Sequence, residues 1–133
     1  MVAWKDIVAG GLTFVIAHAI EVVGWPWFDP GRSSTPWFLN AGRAAAFTAG
    51  CLVLAAAAAT ALAASAPGRG AIARGGGIAV GAIAAMTIVL VARGPGTLFP
   101  IVLVFGAAIA LASGVVGAAL GNGLAAARRG RRA

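Results

Sequence analysis

Negative charge is nearly missing from this sequence. Its 133 residues include three acids, Asp6, Glu21 and Asp29. That is too few for most hydrolytic or metal chemistry, which pairs carboxylates or gathers them around a cation. Histidine and cysteine occur once each, as His18 and Cys51, and tyrosine does not occur at all. One cysteine excludes an intramolecular disulfide and a cysteine-rich metal site, and one histidine excludes a multi-histidine site within a single chain. Charged residues of both signs amount to 10% against 61% hydrophobic, with a mean hydropathy of +0.97. Soluble domains carry about 25% charged residues. A water-soluble fold of this composition would precipitate, and the bilayer is the solvent that suits it. The glycine triplet Gly75-Gly76-Gly77 has no Lys-Ser/Thr behind it and follows no strand pattern, so it is not a phosphate loop. No Ser/His/Asp set is plausible. We expect a non-enzymatic protein with no resident metal.

Four long apolar runs are present, at about residues 7–24, 44–64, 76–92 and 98–126. A membrane-crossing helix needs about 20 predominantly apolar residues. Lipid offers backbone groups no partner, so each crossing must satisfy its own hydrogen bonds, and barrel strands read instead as short alternating segments. The expected fold is therefore all-α: one integral membrane domain of four transmembrane helices, a four-helix bundle. Breakers separate the runs at Ala66-Pro67-Gly68-Arg69-Gly70 and at Arg93-Gly94-Pro95-Gly96-Thr97. Thr97 is a candidate cap for the fourth helix, and Pro100 falls in its first turn, where the missing N–H costs little. Ala17-His18-Ala19 also has the small-x-small form of a signal-peptidase site, but the run continues apolar through Val22, Val23 and Gly24, which suits a span better.

Basic residues set the orientation. Lys5, Arg69, Arg74, Arg128, Arg129, Arg131 and Arg132 fall on one side of four spans, and Arg32, Arg43 and Arg93 on the other. The positive-inside rule makes the first side cytoplasmic, N-in and C-in. The arginine-rich tail 127–133 then faces anionic headgroups, at about 1 kcal/mol per charge, and we expect no nucleic acid as partner. The net charge of +7 has the same origin. Frequent Ala, Gly and Arg suggest a GC-rich bacterial genome, hence a multi-pass protein of the bacterial inner membrane.

The aromatic residues gather in one place. The stretch WPWFDPGRSSTPWF repeats Pro-Trp-Phe ten residues apart and holds three of the four tryptophans. It falls in the segment 25–41 between the first two spans. Trp prefers the headgroup layer, where the ring is buried and the N–H stays wet. We expect an outer loop pinned to the membrane surface by Trp25, Trp27, Phe28, Trp37 and Phe38.

Glu21 is the most informative residue, because an ionisable group in a span is costly and a functional candidate by default. His18 lies one turn back at i−3, within reach. Arg43 and Arg93 begin or end spans on the same side. Two readings stay open: a rim ion pair of Glu21 with Arg43 (or Arg93) that serves structure alone, and a proton- or ligand-handling site. His18 itself either hydrogen-bonds Glu21 or a backbone carbonyl, or ligates a pigment magnesium.

Small residues form the other pattern. Gly106, Ala110, Ser113, Gly117 and Gly121 recur at helical spacing in the fourth run, Gly77 and Gly81 in the third, and Ala46 and Gly50 in the second. Small faces let helix backbones approach and gain dispersion contacts in lipid. Whether they pack within one chain or between chains is open.

Three short resemblances accompany this reading. Ala17-His18 followed by Pro26-Trp27-Phe28 resembles the end of bacterial light-harvesting beta polypeptides, which implies a pigment on the histidine. That family's acidic N-terminal segment is absent here, and three more spans are present. Four spans with an acid in the first, in Ala19-Ile20-Glu21-Val22-Val23-Gly24, is similar to small multidrug resistance transporters, without their aromatic pocket in later spans. Lys5-Asp6 before the first span and a proline-rich linker before the second is similar to the small membrane subunit of tripartite tricarboxylate transporters.

The expected function is that of a small accessory or structural subunit packing against a larger membrane protein assembly, with other membrane subunits or a second copy of itself as partners. The alternative is a small homo-oligomeric transporter or channel that uses Glu21, with His18, to couple protons or a cation. A third reading places a pigment or quinone near His18.

Overall fold

The computed structural model describes residues 4–24, 37–62, 69–94, 96 and 99–132. Among these are four long helices. The first, α1, runs Trp4–Ala19 and continues as one widened π-helical turn over Ile20–Gly24. The others are α2 (Trp37–Leu62), α3 (Arg69–Ala92) and α4 (Phe99–Gly130). Each contains a segment long and apolar enough to cross a membrane, with mean hydropathy between 1.8 and 2.4.

All four helices overrun the apolar runs that announce them. The α1 helix starts at Trp4 rather than 7, because Lys5 and Asp6 are compatible with a first helical turn, and an acid there faces the positive end of the helix dipole. The α2 helix takes in residues 37–41 of the expected outer loop, so Trp37 and Phe38 open a helix. The α3 helix begins at Arg69 rather than 76. It carries Arg74 and all three glycines of the triplet inside it, because tertiary contact outweighs the poor helix propensity of glycine. The α4 helix continues past 126 to Gly130, so Arg128 and Arg129 of the expected tail form its last turn, where cations complement the dipole. Trp25, Trp27, Phe28 and Thr97 lie outside the described residues.

Gly94 shows how α3 stops. Its φ is +91°, a left-handed conformation open to glycine, and its N–H donates to Val91 O at 3.1 Å. Pro100 sits second in α4, in the first turn as expected.

The helices do not pack in chain order. The extensive contacts are α2 with α4, α1 with α3, and α3 with α4; α1 meets α2 less. The end of the bundle that carries the chain termini is closed by glycine. Gly10 of α1 lies against the backbone of Ile78, and Gly81 of α3 against the backbone of Ile7. Gly75 and Gly114 approach each other across α3 and α4 in the same way, and Gly117 and Gly121 rest on the Val53 and Ala57 carbonyls of α2. Close approach requires glycine at these places, because a Cβ would have to displace backbone. Around them sits a small-residue core, with Ala56, Ile78, Ala79 and Ala82 all buried.

Polar groups inside the helices are mostly spent on their own backbone. Thr13, Thr60, Thr87 and Ser113 each donate to the carbonyl four residues back, at 2.7–2.8 Å. Arg74 Nη1 donates across to Ala59 O at 3.0 Å, one of the last four carbonyls of α2, which have no partner within their helix. The outer surface is apolar: Leu54, Ile88, Val104 and Phe105 are each about two-thirds exposed. Such a surface suits lipid and would aggregate in water.

Candidate functional site

At the opposite end, where α1 finishes and α2 begins, the helices part around a cavity of about 610 Å³. Every helix contributes to its wall. His18 and Glu21 come from α1 and its π turn, Thr48 and Leu52 from α2, Met86 from α3 with Arg93 just past its end, Phe105 and Gly106 from α4. The lining is otherwise almost wholly aliphatic and aromatic.

The local sequence explains the arrangement. Glycine and alanine draw the helices together at the termini end. Toward the other end, Met86, Val89 and Leu90 of α3 and Ile101, Val102 and Phe105 of α4 replace them along the same walls. Ile101, Val102 and Phe105 are themselves exposed, so on α4 the cavity is bounded by residues that also face outward. The π turn adds one residue to the local ring, and such turns recur at functional sites. Here it carries Glu21.

Glu21 is 7% exposed, the only acid among the described residues to be buried. Its Oε1 accepts a hydrogen bond from Thr48 Oγ1 at 3.1 Å, which ties α1 to α2. A hydrogen bond to a carboxylate at low dielectric is among the stronger kinds. Arg93 lines the same cavity, exposed just past the end of α3, and Arg43 is exposed in the second turn of α2.

His18 departs from expectation. The sequence favours a hydrogen bond to Glu21 or to a carbonyl, yet Nε2 is buried with no hydrogen-bond partner among the described residues. The imidazole instead stacks on Phe14, with ring centroids 6.0 Å apart and planes 4° apart. A helical i, i+4 pair faces one way, so the two rings stand parallel to each other along the α1 wall. Among the described residues no group of three or more His, Cys, Asp or Glu is placed to hold a metal ion.

The seam residues fall into two sets. Ala110, Ser113, Gly117, Gly121, Gly77 and Gly81 are buried within the chain. Gly106 is half-buried at the cavity, facing the Met86 thioether. Sequence reasoning missed Gly75, Gly114 and the contact role of Gly10. Gly114 lies four residues after Ala110 and next to Ser113, through which the seam was traced instead. On α2, by contrast, Gly42, Ala46 and Gly50 form an exposed small-residue strip, and no other helix among the described residues stands within 4 Å of where a Cβ on either glycine would lie.

No family model, no curated protein and no solved structure matches this chain.

Proposed function

We propose that this is a small multi-pass membrane protein that takes a lipophilic small molecule into the cavity at the linker end, with Glu21 as its proton- or cation-coupling group. The observation that carries this reading is the cavity itself: an apolar chamber of ligand size with a buried carboxylate in its wall. Pockets of about 300–1,000 Å³ with a few convergent polar groups are the usual form of a small-molecule site. An acid inside a span that faces such a chamber is a functional group by default. The orientation follows the basic residues, N-in and C-in, so the cavity faces the outer leaflet of what composition suggests is a bacterial inner membrane.

The glycine seams argue for this reading over a purely structural one. Their contacts are largely consumed inside the chain, which removes most of the reason to expect a larger partner. One observation still favours the second reading, an accessory subunit: the uncovered Gly42, Ala46 and Gly50 strip on α2 is the kind of face on which another membrane helix packs.

Native mass spectrometry of the protein purified from its own membranes separates the two. A monomer or small homo-oligomer that retains a small lipophile supports the cavity reading. Stoichiometric larger subunits with an empty cavity support the accessory one. In proteoliposomes, Glu21→Gln then retains ligand binding but loses proton- or cation-coupled uptake.

A further inference from the structure

We infer that the occupant of the cavity is a single-chain amphiphile with an oxyanionic head, a carboxylate or a phosphate, which enters from the lipid and sets its head on Arg93. This deepens the cavity reading above and rests on it.

The cavity has a depth and a direction. Its floor is made by Leu52, Ala82 and Ala110, each at most 4% exposed. Its mouth is at Arg93, exposed just past the end of α3. From Ala82 to Arg93 the wall follows about 16 Å of helix at 1.5 Å per residue, which suits one alkyl chain of about a dozen carbons. One side of the chamber is open to lipid, because Ile101 and Phe105 of α4 line it and are also 55% and 66% exposed. A hydrocarbon chain can therefore pass in beside α4 without meeting water.

The charge at the mouth selects the head. Glu21 and Arg93 both line the cavity but differ in access. Glu21 is 7% exposed, and its Oε1 already accepts from Thr48. The Arg93 guanidinium stands at the exposed end and makes no hydrogen bond or ion pair among the described residues. Its planar fork of N–H donors matches carboxylate and phosphate oxygens two at a time. By the orientation of the basic residues this is the headgroup level of the outer leaflet, so head and tail keep the depths they have in the bilayer.

Photolabelling in phosphatidylcholine nanodiscs tests this, with dodecyl phosphate carrying a diazirine on its chain as the probe. Read by mass spectrometry, the label should insert at Leu52, Ala82 or Ala110 rather than at outward Leu54 and Val104. Unlabelled dodecyl phosphate and dodecanoate should compete, and the stronger of the two names the head. Dodecanol and dodecyltrimethylammonium, with the same chain, should need at least tenfold more, and two-chain dioleoylphosphatidylglycerol should not compete. Arg93→Gln should raise the half-saturating probe concentration tenfold or more, and Arg93→Lys, which keeps the charge, should raise it less. Ala45→Phe, which fills the cavity from a half-buried position on α2, should abolish labelling of the floor.

If Ala45→Phe removes the floor label but dodecanol or dodecyltrimethylammonium competes equally, or both Arg93 variants label like wild type, the cavity stands and the anionic head falls. Equal competition by the two-chain lipid overturns the single chain. If neither this probe nor its dodecanol counterpart reaches the floor, or Ala45→Phe changes nothing, the cavity reading falls with it.

Discussion

Replacing Gly81 by alanine tests the backbone contact between α1 and α3. An added Cβ would run into the Ile7 carbonyl, lying 2.7 Å from its carbon and 2.9 Å from Gly11 N. Neither neighbour is the end of a flexible side chain, so relief requires moving a helix. Overpacking a tight interior costs about 1–3 kcal/mol, and a site bounded by backbone belongs at the upper end. Alanine also regains about 1 kcal/mol of helix propensity over glycine. The net expectation is a loss of about 2 kcal/mol. Gly76→Ala is the control. It lies five residues away on the same helix with nothing from the other described helices within 4 Å of the added atom, so it should be neutral or up to about 1 kcal/mol stabilising. Reversible unfolding in mixed micelles of mild detergent and dodecyl sulfate, followed by circular dichroism, measures both. Gly10→Ala, whose Cβ would strike Ile78 in the same interface, should not add fully to Gly81→Ala, since one separation of the helices relieves both clashes. Equal stability of Gly81→Ala and Gly76→Ala would refute the contact.

Thr48→Val removes the hydroxyl that donates to Glu21 and keeps its volume. The same titration should show a loss of about 1.5–3 kcal/mol, and a smaller one when Glu21 is already alanine. Gly106→Ala should cost under about 1 kcal/mol although its Cβ would press on Met86, because that thioether can turn away into the cavity. In a Cys51→Ala background, Gly96→Cys should react with a membrane-impermeant maleimide on intact cells and Arg132→Cys only after permeabilisation. Labelling of both from one side would contradict four crossings.

Helix number and type were legible because apolar length is a composition signal that survives without tertiary detail. Ends were not: hydropathy marks where hydrocarbon stops, while a helix continues through Lys5, Arg74 or Arg128 as long as backbone bonds can form. The importance of Glu21 was readable from its rarity in an apolar run. Its partner Thr48 was not, since that hydroxyl lies 27 residues away on another helix and a threonine in a span most often bonds its own backbone. That Nε2 of His18 lacks a hydrogen-bond partner among the described residues was unreadable for the same reason, as it depends on side chains from other helices. Glycine was read as a seam on single helices. The structure shows reciprocal pairs, Gly75 with Gly114 and Gly11 with Gly81, which arise only when two helices are superposed.

The glycine-closed end also governs how far the sequence can drift. At Gly10, Gly75, Gly81, Gly114, Gly117 and Gly121 the required feature is an absent atom, and no other residue supplies it. Cavity positions such as Met86, Val89 and Ile101 need only volume and apolarity, which several side chains share. Descendants of a common ancestor should therefore agree at the six glycines and diverge around the chamber, keeping the scaffold while changing what it holds.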